Sequence, residues 1–497
     1  MKNKRISPIE ISKKDFRKMG HQLIDSIADF INTIDERPVT PGETPKQLHD
    51  LLGSAKLPAK GADPEKILAR ATKLLIKHSL FNGHPKFLGY ITSSAAPIGA
   101  LADLLAAAVN PNVGAQILSP VATEIEKQTV KWLAELIGVS PVYGGLLVSG
   151  GNMANFTGFL AGRTAKAPKS IKEAGMSMDA YKMTIYCSKT THTWVEKAAV
   201  LFGFGTASIR WIAADMNQRM DIAVLEETIK ADLANGCLPI MVIGTAGDVS
   251  TGAVDDLKAI AAICKTFSLW FHVDGAYGIP AAVIPRLKKK FSGIEEADSI
   301  ALDPHKWLYS PLEAGCTLVK NPHHLIETFS SHPVYYNFSS GDAFTQNYYE
   351  YGLQNSRGFR ALKVWLSLQQ VGRKGYIKMI GDDIKLSRLL FSLAKQHKEL
   401  EAVSQNLSIT TLRYVPAGFS TGSPENEEYL NGLNEALLNA LQENGEVFLS
   451  NALVNGKYCL RACIVNFRTT EKDIREIIDI IVKEGRKLHG KVFYHSK

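Results

Sequence analysis

Strand-like and helix-like segments alternate along the middle of this chain, and this alternation constrains the fold more than any other feature. Residues 238–244 form an apolar run typical of a buried strand, 256–267 follow as a helix candidate, and 269–273 form a second apolar run. Strands that alternate with helices in this way predict βαβ units and a largely parallel sheet. We therefore predict an α/β protein whose large domain spans residues 85–375.

The first 84 residues alternate amphipathic helices with a link rich in proline and glycine at residues 37–45. An apolar stripe that a single chain would leave partly exposed runs along one of these helices at Leu23, Ile24, Ile27 and Ile31. Exposed apolar surface indicates a partner, and twofold self-association is the commonest oligomeric state. Residues 1–84 are therefore predicted to be a dimerisation segment of a homodimer. The alternative is that the stripe packs against the chain's own large domain.

The remaining residues, 376–497, mix strand candidates at 408–413 and 458–464 with helix candidates at 426–442 and 471–488. Both types of element within one compact region predict a small C-terminal α+β domain.

Composition narrows the class of protein. A chain of 497 residues with 45% hydrophobic residues can bury large cores. The net charge of +8 is spread along the chain, and its one basic cluster, at 286–290, is interpreted as a solvated helix end rather than a nucleic-acid site. Six cysteines without Cys-x-x-Cys spacing indicate reduced thiols and argue against a metal site. With no secretory signal or membrane-spanning run evident, we expect a cytoplasmic protein without membrane partners.

One lysine stands in an unusual setting at the end of a further apolar run. Residues 299–302 predict a short buried strand, an aspartate–proline pair at 303–304 ends it, and Lys306 follows. Burying an unpaired lysine is expensive, but a lysine avoids much of that cost when a carbonyl cofactor takes its nitrogen in a Schiff base. For an isolated sequence of this kind, a surface lysine after a turn is the alternative.

An aspartate that complements this lysine lies at the carboxyl end of the strand predicted at 269–273. Asp274 is followed by two glycines that allow close backbone approach, and strand carboxyl ends are where open α/β sheets bind ligands. A lysine Schiff base and a carboxylate that keeps a pyridine nitrogen protonated are what pyridoxal 5'-phosphate needs from a protein. Together, Lys306 and Asp274 predict that cofactor, held covalently on Lys306. Alone, Asp274 would be a strand-end cap or an ion-pair partner.

Two further segments fit the same site. Residues 144–155 predict a strand, a glycine turn and a helix whose first amides would anchor a phosphate, which makes Gly151 and Asn152 candidates. His192 follows a strand predicted at 183–187 and is placed to stack on a flat cofactor ring. Taken alone, the glycine turn is a weak signal, and a lone histidine is more often a capping or core residue.

Together these residues resemble the group II pyridoxal-phosphate-dependent amino-acid decarboxylases, which include the aromatic-L-amino-acid, histidine, glutamate and diaminobutyrate decarboxylases. The resemblance covers most of the chain, through residues 15–25, 84–90, 149–152, 192, 272–274, 303–306 and 357–365. It implies the type I fold, with a mainly parallel seven-stranded sheet, and a homodimer with the active site at the subunit interface. It also implies cofactor contacts from His305, Ala276 and Thr245. The animal aromatic enzymes carry asparagine at the position of Asp303. Several bacterial members carry aspartate there, as this chain does.

The resemblance also implies the reaction, decarboxylation of an L-amino acid, with Lys306, His192 and Asp274 in catalytic roles. The family's mobile catalytic loop corresponds to residues 329–358, and Tyr335 aligns best with its catalytic tyrosine, although Tyr336 is adjacent. A tyrosine there favours plain decarboxylation over aldehyde synthesis. The alternative is that these tyrosines only pack the loop.

The substrate is predicted from the segment where the aromatic enzymes build their side-chain pocket. Tyr90, Ile91 and Thr92 lie there, and no arginine or lysine stands within residues 90–105 to meet a distal carboxylate. This favours an aromatic substrate over glutamate, although arginines elsewhere in the chain, including Arg360 and Arg461, could still reach this segment, and 2,4-diaminobutyrate stays an alternative. The alternatives are an aminotransferase or carbon–carbon lyase on the same fold, and a binding protein that keeps an inactive scaffold.

Overall fold

A seven-stranded sheet forms the centre of the protein in a computed structural model that describes residues 7–53, 56–168, 171–175, 182–331 and 345–495. Its strands are β1 (Gly144–Val148), β2 (Met183–Ser188), β3 (Ile209–Ile212), β4 (Leu238–Thr245), β5 (Trp270–Asp274), β6 (Ser299–Leu302) and β7 (Gly315–Val319). They lie in the order β1-β7-β6-β5-β4-β2-β3. Within this sheet β7 pairs antiparallel with both neighbours, whereas the other pairs are parallel. The predicted mainly parallel α/β sheet is confirmed.

Burial explains why these segments are strands. Every residue of β2, β5, β6 and β7 is buried, so each strand is apolar on both faces, as expected for a sheet covered by helices on both sides. The strand predicted at 299–302 coincides with β6, and those predicted at 238–244 and 269–273 differ from β4 and β5 by one residue at one or both ends.

The helices flank this sheet and extend to both ends of the chain. They are α1 (Lys13–Asn32), α2 (Pro45–Leu52), α3 (Pro64–His78), α4 (Pro97–Val109), α5 (Pro120–Ile137), α6 (Gly151–Lys166), α7 (Ile171–Ala174), α8 (Trp194–Leu201), α9 (Ile222–Ala234), α10 (Leu257–Thr266), α11 (His323–Phe329), α12 (Ala361–Gln396), α13 (Pro424–Asn444) and α14 (Glu471–His495). Short 3-10 helices lie at Ile34–Glu36, Gln116–Leu118, Thr206–Ser208, Ile279–Val283, Pro285–Phe291, Ile294–Glu296 and Tyr348–Glu350. The basic cluster at 286–290 lies in one of them, and its cationic side chains are exposed.

A second sheet builds the C-terminal region. Its strands β8 (Leu400–Asn406), β9 (Ile409–Tyr414), β10 (Ser450–Val454) and β11 (Lys457–Cys463) pair antiparallel in the order β10-β11-β9-β8. Apolar side chains of α13 and α14, including Leu437 and Ile477, are buried against this sheet. The predicted α+β layer is therefore present. Helix α12 links it to the large sheet and is interrupted at Gly372, where φ is +63°.

Among the helices of the described residues, none combines the length and apolar character needed to cross a bilayer. All six cysteines are described and are free, and five of them are buried.

Candidate active site

The carboxyl ends of β1, β2, β4, β5 and β6 open onto one cavity of about 850 Å³. Parallel strands bring their carboxyl ends to the same edge of a sheet, which is why residues far apart in sequence meet here. The cavity lining includes every predicted site residue that the structure describes: Lys306, Asp274, His192, Gly151, Asn152, His305, Ala276, Thr245, Tyr90, Ile91 and Thr92. Tyr335 and Tyr336 lie outside the described residues.

Lys306 is delivered to this cavity by the turn that follows β6. Its backbone amide donates to the carbonyl of Asp303 at 2.9 Å, and its side chain is half-buried. The ammonium Nζ lies 3.0 Å from Asp303 Oδ2. The lysine is thus held at the cavity wall with its amino group accessible, as a nucleophile that captures a carbonyl group must be.

The two aromatic residues after Lys306 anchor the turn to helix α12. Trp307 Nε1 donates to Asp383 Oδ2 at 2.9 Å, and the Tyr309 hydroxyl donates to the same oxygen. The Trp307 ring also stacks on Tyr277 at a centroid distance of 5.0 Å. Sequence reasoning missed Asp383, since an aspartate within a helical segment carries no signal of this contact.

Asp274 is fixed at the end of β5 by two donors. Its Oδ2 accepts from Trp194 Nε1 at 2.7 Å, and its Oδ1 accepts from the amide of Ala276 at 3.2 Å. The side chain is buried but borders the cavity. Trp194, the first residue of α8, was not among the predicted site residues, although it sets the orientation of this carboxylate.

Beneath Asp274, the fully buried His272 joins β5, β6 and α6. Its Nδ1 lies 2.7 Å from Ser299 Oγ, and its Nε2 lies 2.8 Å from Asn155 Oδ1. Burial lowers the pKa of His272 to about 4, so its ring is neutral at neutral pH. It therefore supports the strand ends and adds no charge to the site.

His192 presents its imidazole to the cavity just after β2. Burial by the surrounding protein lowers the pKa of His192, and the nearby Asp274 carboxylate opposes that change. Its Nδ1 accepts from the amide of Trp194 at 3.3 Å, so the neutral ring carries its proton on Nε2. The site therefore offers a neutral aromatic face and one N–H donor here.

The glycine turn between β1 and α6 is tightly packed where it lines the cavity. A Cβ atom on Gly151 would lie 2.6 Å from Asp303 Oδ2 and 3.3 Å from Ala276 Cβ, so only glycine leaves room here. The first amides of α6 have no intrahelical acceptor and are suited to bind an anion. Beside them, His305 Nδ1 accepts from the amide of Ala314 at 3.0 Å, and burial lowers the pKa of His305.

The segment from Tyr90 to Thr92 also lines the cavity and contacts β11. The Tyr90 side chain is 59% exposed, and its carbonyl accepts from Arg461 Nη1 at 3.2 Å. Arg461 is buried, and within the described part of the chain its Nε and Nη2 have no hydrogen-bond partner. The fold thus brings a cation from β11 next to a segment that has none of its own.

This arrangement fits pyridoxal phosphate. The lysine amino group, an oriented carboxylate, a flat neutral ring and a glycine-lined helix start surround one cavity. They match the aldehyde, pyridine nitrogen, ring face and phosphate of that cofactor.

Comparisons with known proteins agree with this chemistry. The family model for the pyridoxal-dependent decarboxylase conserved domain matches residues 45–413. An aromatic-L-amino-acid decarboxylase of Bacillus atrophaeus is 32% identical over 472 residues, which cover 95% of each chain. The solved structure of Oryza sativa TDC with PLP and tryptamine has a TM-score of 0.89 at 25% identity, covering 97% of this chain and 100% of its own. A glutamate decarboxylase domain from Vibrio parahaemolyticus has a TM-score of 0.84 at 26% identity, covering 97% and 98%.

Proposed function

This chain belongs to the pyridoxal-dependent decarboxylase family, and from that membership we propose that it converts an aromatic L-amino acid to the corresponding amine and carbon dioxide. It is a carboxy-lyase with pyridoxal phosphate as its cofactor, so the predicted family, type I fold and cofactor are confirmed. The observation that carries the proposal is the placement of Lys306 and Asp274, from neighbouring strands, on one cavity.

Each side chain receives a role from its position. Lys306 would hold the cofactor covalently, and Asp274 would keep the proton on the pyridine nitrogen. His192 would stack on the ring. The phosphate would be held by Gly151, Asn152 and His305, while Ala276 and Thr245 would border the ring. When bound, the cofactor supplies a cationic conjugated ring that accepts the electron pair of the broken carbon–carboxylate bond.

The protein's further task is orientation. The bond to the substrate carboxylate must stand perpendicular to the cofactor ring, so the site has to position the substrate as well as bind it. The Nε2–H of His192 is a donor for that carboxylate, because its Nδ1 is already occupied by the amide of Trp194. Tyr335, outside the described residues, stays a prediction as the group that protonates the carbon left by carbon dioxide.

An aromatic side chain is favoured by the wall that Tyr90, Ile91 and Thr92 provide, which bears no positive charge of its own. The similarity to an aromatic-L-amino-acid decarboxylase supports the same choice. Arg461 favours a second candidate, an acidic substrate such as glutamate, because two of its buried nitrogens have no hydrogen-bond partner among the described residues. The similarity to a glutamate decarboxylase domain supports this second candidate. The side chain of 2,4-diaminobutyrate is itself a cation, so Arg461 does not favour that substrate.

One assay separates these possibilities. Purified protein with added pyridoxal phosphate is offered L-tryptophan, L-tyrosine, L-phenylalanine, L-glutamate and L-2,4-diaminobutyrate, and both carbon dioxide and amine are quantified. We expect equal amounts of both products from at least one aromatic substrate. Turnover that requires a keto acid and releases no carbon dioxide would identify an aminotransferase. No turnover, and no absorbance from a lysine-bound cofactor, would identify an inactive scaffold.

We also propose a homodimer with its sites at the interface. Helix α4 exposes Leu101, Leu104, Leu105 and Val109, each at least half exposed, and the segment after it exposes Ile117 and Val121 at 70% and 72%. Met19 is the only buried residue of α1. Apolar surface of this extent on a single chain supports coverage by a second copy.

The domain division and location remain proposals. We place a dimerisation segment at 1–84, the cofactor-binding domain at 85–375 and the small domain at 376–497; the interruption of α12 at Gly372 supports the last boundary. The free cysteines support a reducing compartment such as the cytoplasm.

A further inference from the structure

Asp303 carries a carboxylate that the chemistry above leaves unused. Its side chain is 1% exposed, and neither oxygen accepts a hydrogen bond from the described residues. Two cations approach it: Lys306 Nζ at 3.0 Å and, if protonated, His305 Nε2 at 3.8 Å. Burial lowers the pKa of His305, so Lys306 is the cation that balances Asp303.

This carboxylate lies against the start of α6. Its Oδ2 is 2.6 Å from the position that a Cβ atom on Gly151 would take, so the glycine backbone and the carboxylate are in direct contact. The phosphate assigned to this helix start would therefore be a close neighbour of Asp303. Two like charges at such a distance, one of them on a buried carboxylate, repel strongly.

Cofactor attachment changes the charge balance around Asp303. The phosphate brings new negative charge to the start of α6, whereas the nitrogen of Lys306 keeps its single positive charge when it bonds to the cofactor. We propose that Asp303 takes up a proton when pyridoxal phosphate binds and, in its neutral form, donates a hydrogen bond to the phosphate. This inference rests on the proposed function, because it requires the phosphate at the glycine turn.

The proton balance follows from the bond that forms. Condensation of the Lys306 ammonium with the cofactor aldehyde joins nitrogen to carbon, releases one water and leaves the positive charge on nitrogen. The proton gained by Asp303 therefore comes from solvent. Affinity must then fall as pH rises, since the bound form holds one more proton than the free protein.

Other titratable groups surround Asp303 and must be separated from it. They are His305 and Lys306 on its own turn, His192 after β2, Asp274 at the end of β5 and the Cys316 thiol on β7. An Asp303→Asn variant retains all of them, as well as the titration of the phosphate itself. The difference in pH dependence between wild type and variant isolates Asp303.

The test measures the dissociation constant of pyridoxal phosphate by absorbance titration across neutral and alkaline pH. We expect wild-type affinity to fall by up to about tenfold more per pH unit than that of Asp303→Asn, the effect of one extra bound proton. Asp232→Asn is the control, because this buried carboxylate binds Tyr186 and Arg210 at the other end of the sheet. It should retain the wild-type pH dependence.

Pyridoxal lacks the phosphate, so it shows whether the difference in pH dependence requires the phosphate. With pyridoxal the wild type and Asp303→Asn should show the same pH dependence. A difference that persists would overturn the phosphate assignment and place the effect on Lys306. Equal pH dependence with pyridoxal phosphate would overturn proton uptake itself. If no variant, nor the wild type, forms a lysine-bound cofactor, the proposed function fails instead.

A second measurement tests the inference on the wild type alone, in case Asp303→Asn does not fold. Infrared difference spectra of the wild type with and without pyridoxal phosphate should show the carbonyl stretch of a newly protonated carboxyl group. The absence of this band would overturn the inference without any substitution.

Discussion

At the scale of single residues, the site depends on charged groups that have few partners. Asp274 is oriented by two donors, and Lys306 is paired with one buried carboxylate. Nearby solvent and side chains cannot replace groups held in this way, so their substitution should have a large effect on cofactor binding or turnover.

Lys306→Ala is expected to abolish the borohydride-fixable cofactor adduct and to lower turnover by more than ~10³-fold, because the covalent link has no substitute. The fold should survive, since the Lys306 side chain is only half-buried. Peptide mapping after borohydride reduction checks this. A reducible lysine adduct elsewhere in the chain would contradict the assignment.

Asp274→Ala is expected to weaken pyridoxal phosphate binding by ~10²- to 10⁴-fold, since removing one partner of a buried ion pair costs about 3–5 kcal/mol. Decarboxylation should slow as well, because an unprotonated pyridine is a poor electron sink. Absorbance titration and single-turnover rates measure the two effects. Near wild-type turnover would mean that Asp274 does not face the ring.

At the scale of elements, close packing at the ends of strands and helices places the reactive groups. The start of α6 contacts the turn after β6 through Gly151 and Asp303, and α12 holds the same turn through Asp383. Both contacts join segments far apart in the chain.

Gly151→Ala tests the first contact. The added Cβ would lie 2.6 Å from Asp303 Oδ2, so the helix start must shift, at a cost of about 1–3 kcal/mol. We expect lower affinity for pyridoxal phosphate and a lower melting temperature. Gly432→Ala in α13 is the matched control, because its Cβ would meet open space among the described residues. This substitution should stabilise the folded protein by about 0.5–1 kcal/mol. Unchanged cofactor affinity in Gly151→Ala would contradict the assigned role of the turn.

Asp383 gives the second contact a pH dependence. Burial raises the pKa of Asp383 to about 7, above its value of about 3.9 in an unfolded chain. Between these values the folded protein binds a proton that the unfolded chain lacks, so this group makes stability fall as pH rises from about 4 to about 7. Urea unfolding is measured at about pH 5 and at about pH 8. Between the two, the free energy of unfolding should fall more for wild type than for Asp383→Asn, by up to about 3 kcal/mol. An equal fall in the free energy of unfolding in both proteins would show that Asp383 does not titrate in this range.

At the scale of the whole molecule, the uncovered apolar surface of α4 predicts an obligate homodimer. Leu104→Lys should dissociate it and reduce activity, because a charge in an apolar interface is costly. Leu233→Lys on α9 is the matched control, since Leu233 is 47% exposed and Leu104 is 51% exposed. Sedimentation at low protein concentration, with activity measured in parallel, decides the outcome. A fully active monomer would refute a site built at the interface.

The local elements and the identity of the reactive groups could be predicted from the amino-acid sequence. The short apolar run before Asp303 predicts β6 without error, because a strand buried on both faces has a pattern that needs no partner to be recognised. Lys306 and Asp274 could be paired from sequence because pyridoxal phosphate chemistry requires both residue types at strand ends.

How these groups are held, and which neighbours they have, depends on contacts between distant parts of the folded chain. Trp194 and Asp274 are 80 positions apart, and Trp307 and Asp383 are 76 apart, so neither hydrogen bond leaves a local pattern. The antiparallel β7 and the approach of Arg461 to Tyr90 likewise depend on how distant segments pack. Local periodicity reports which face of an element is buried, whereas the partner on that face is set by the packing of the complete chain.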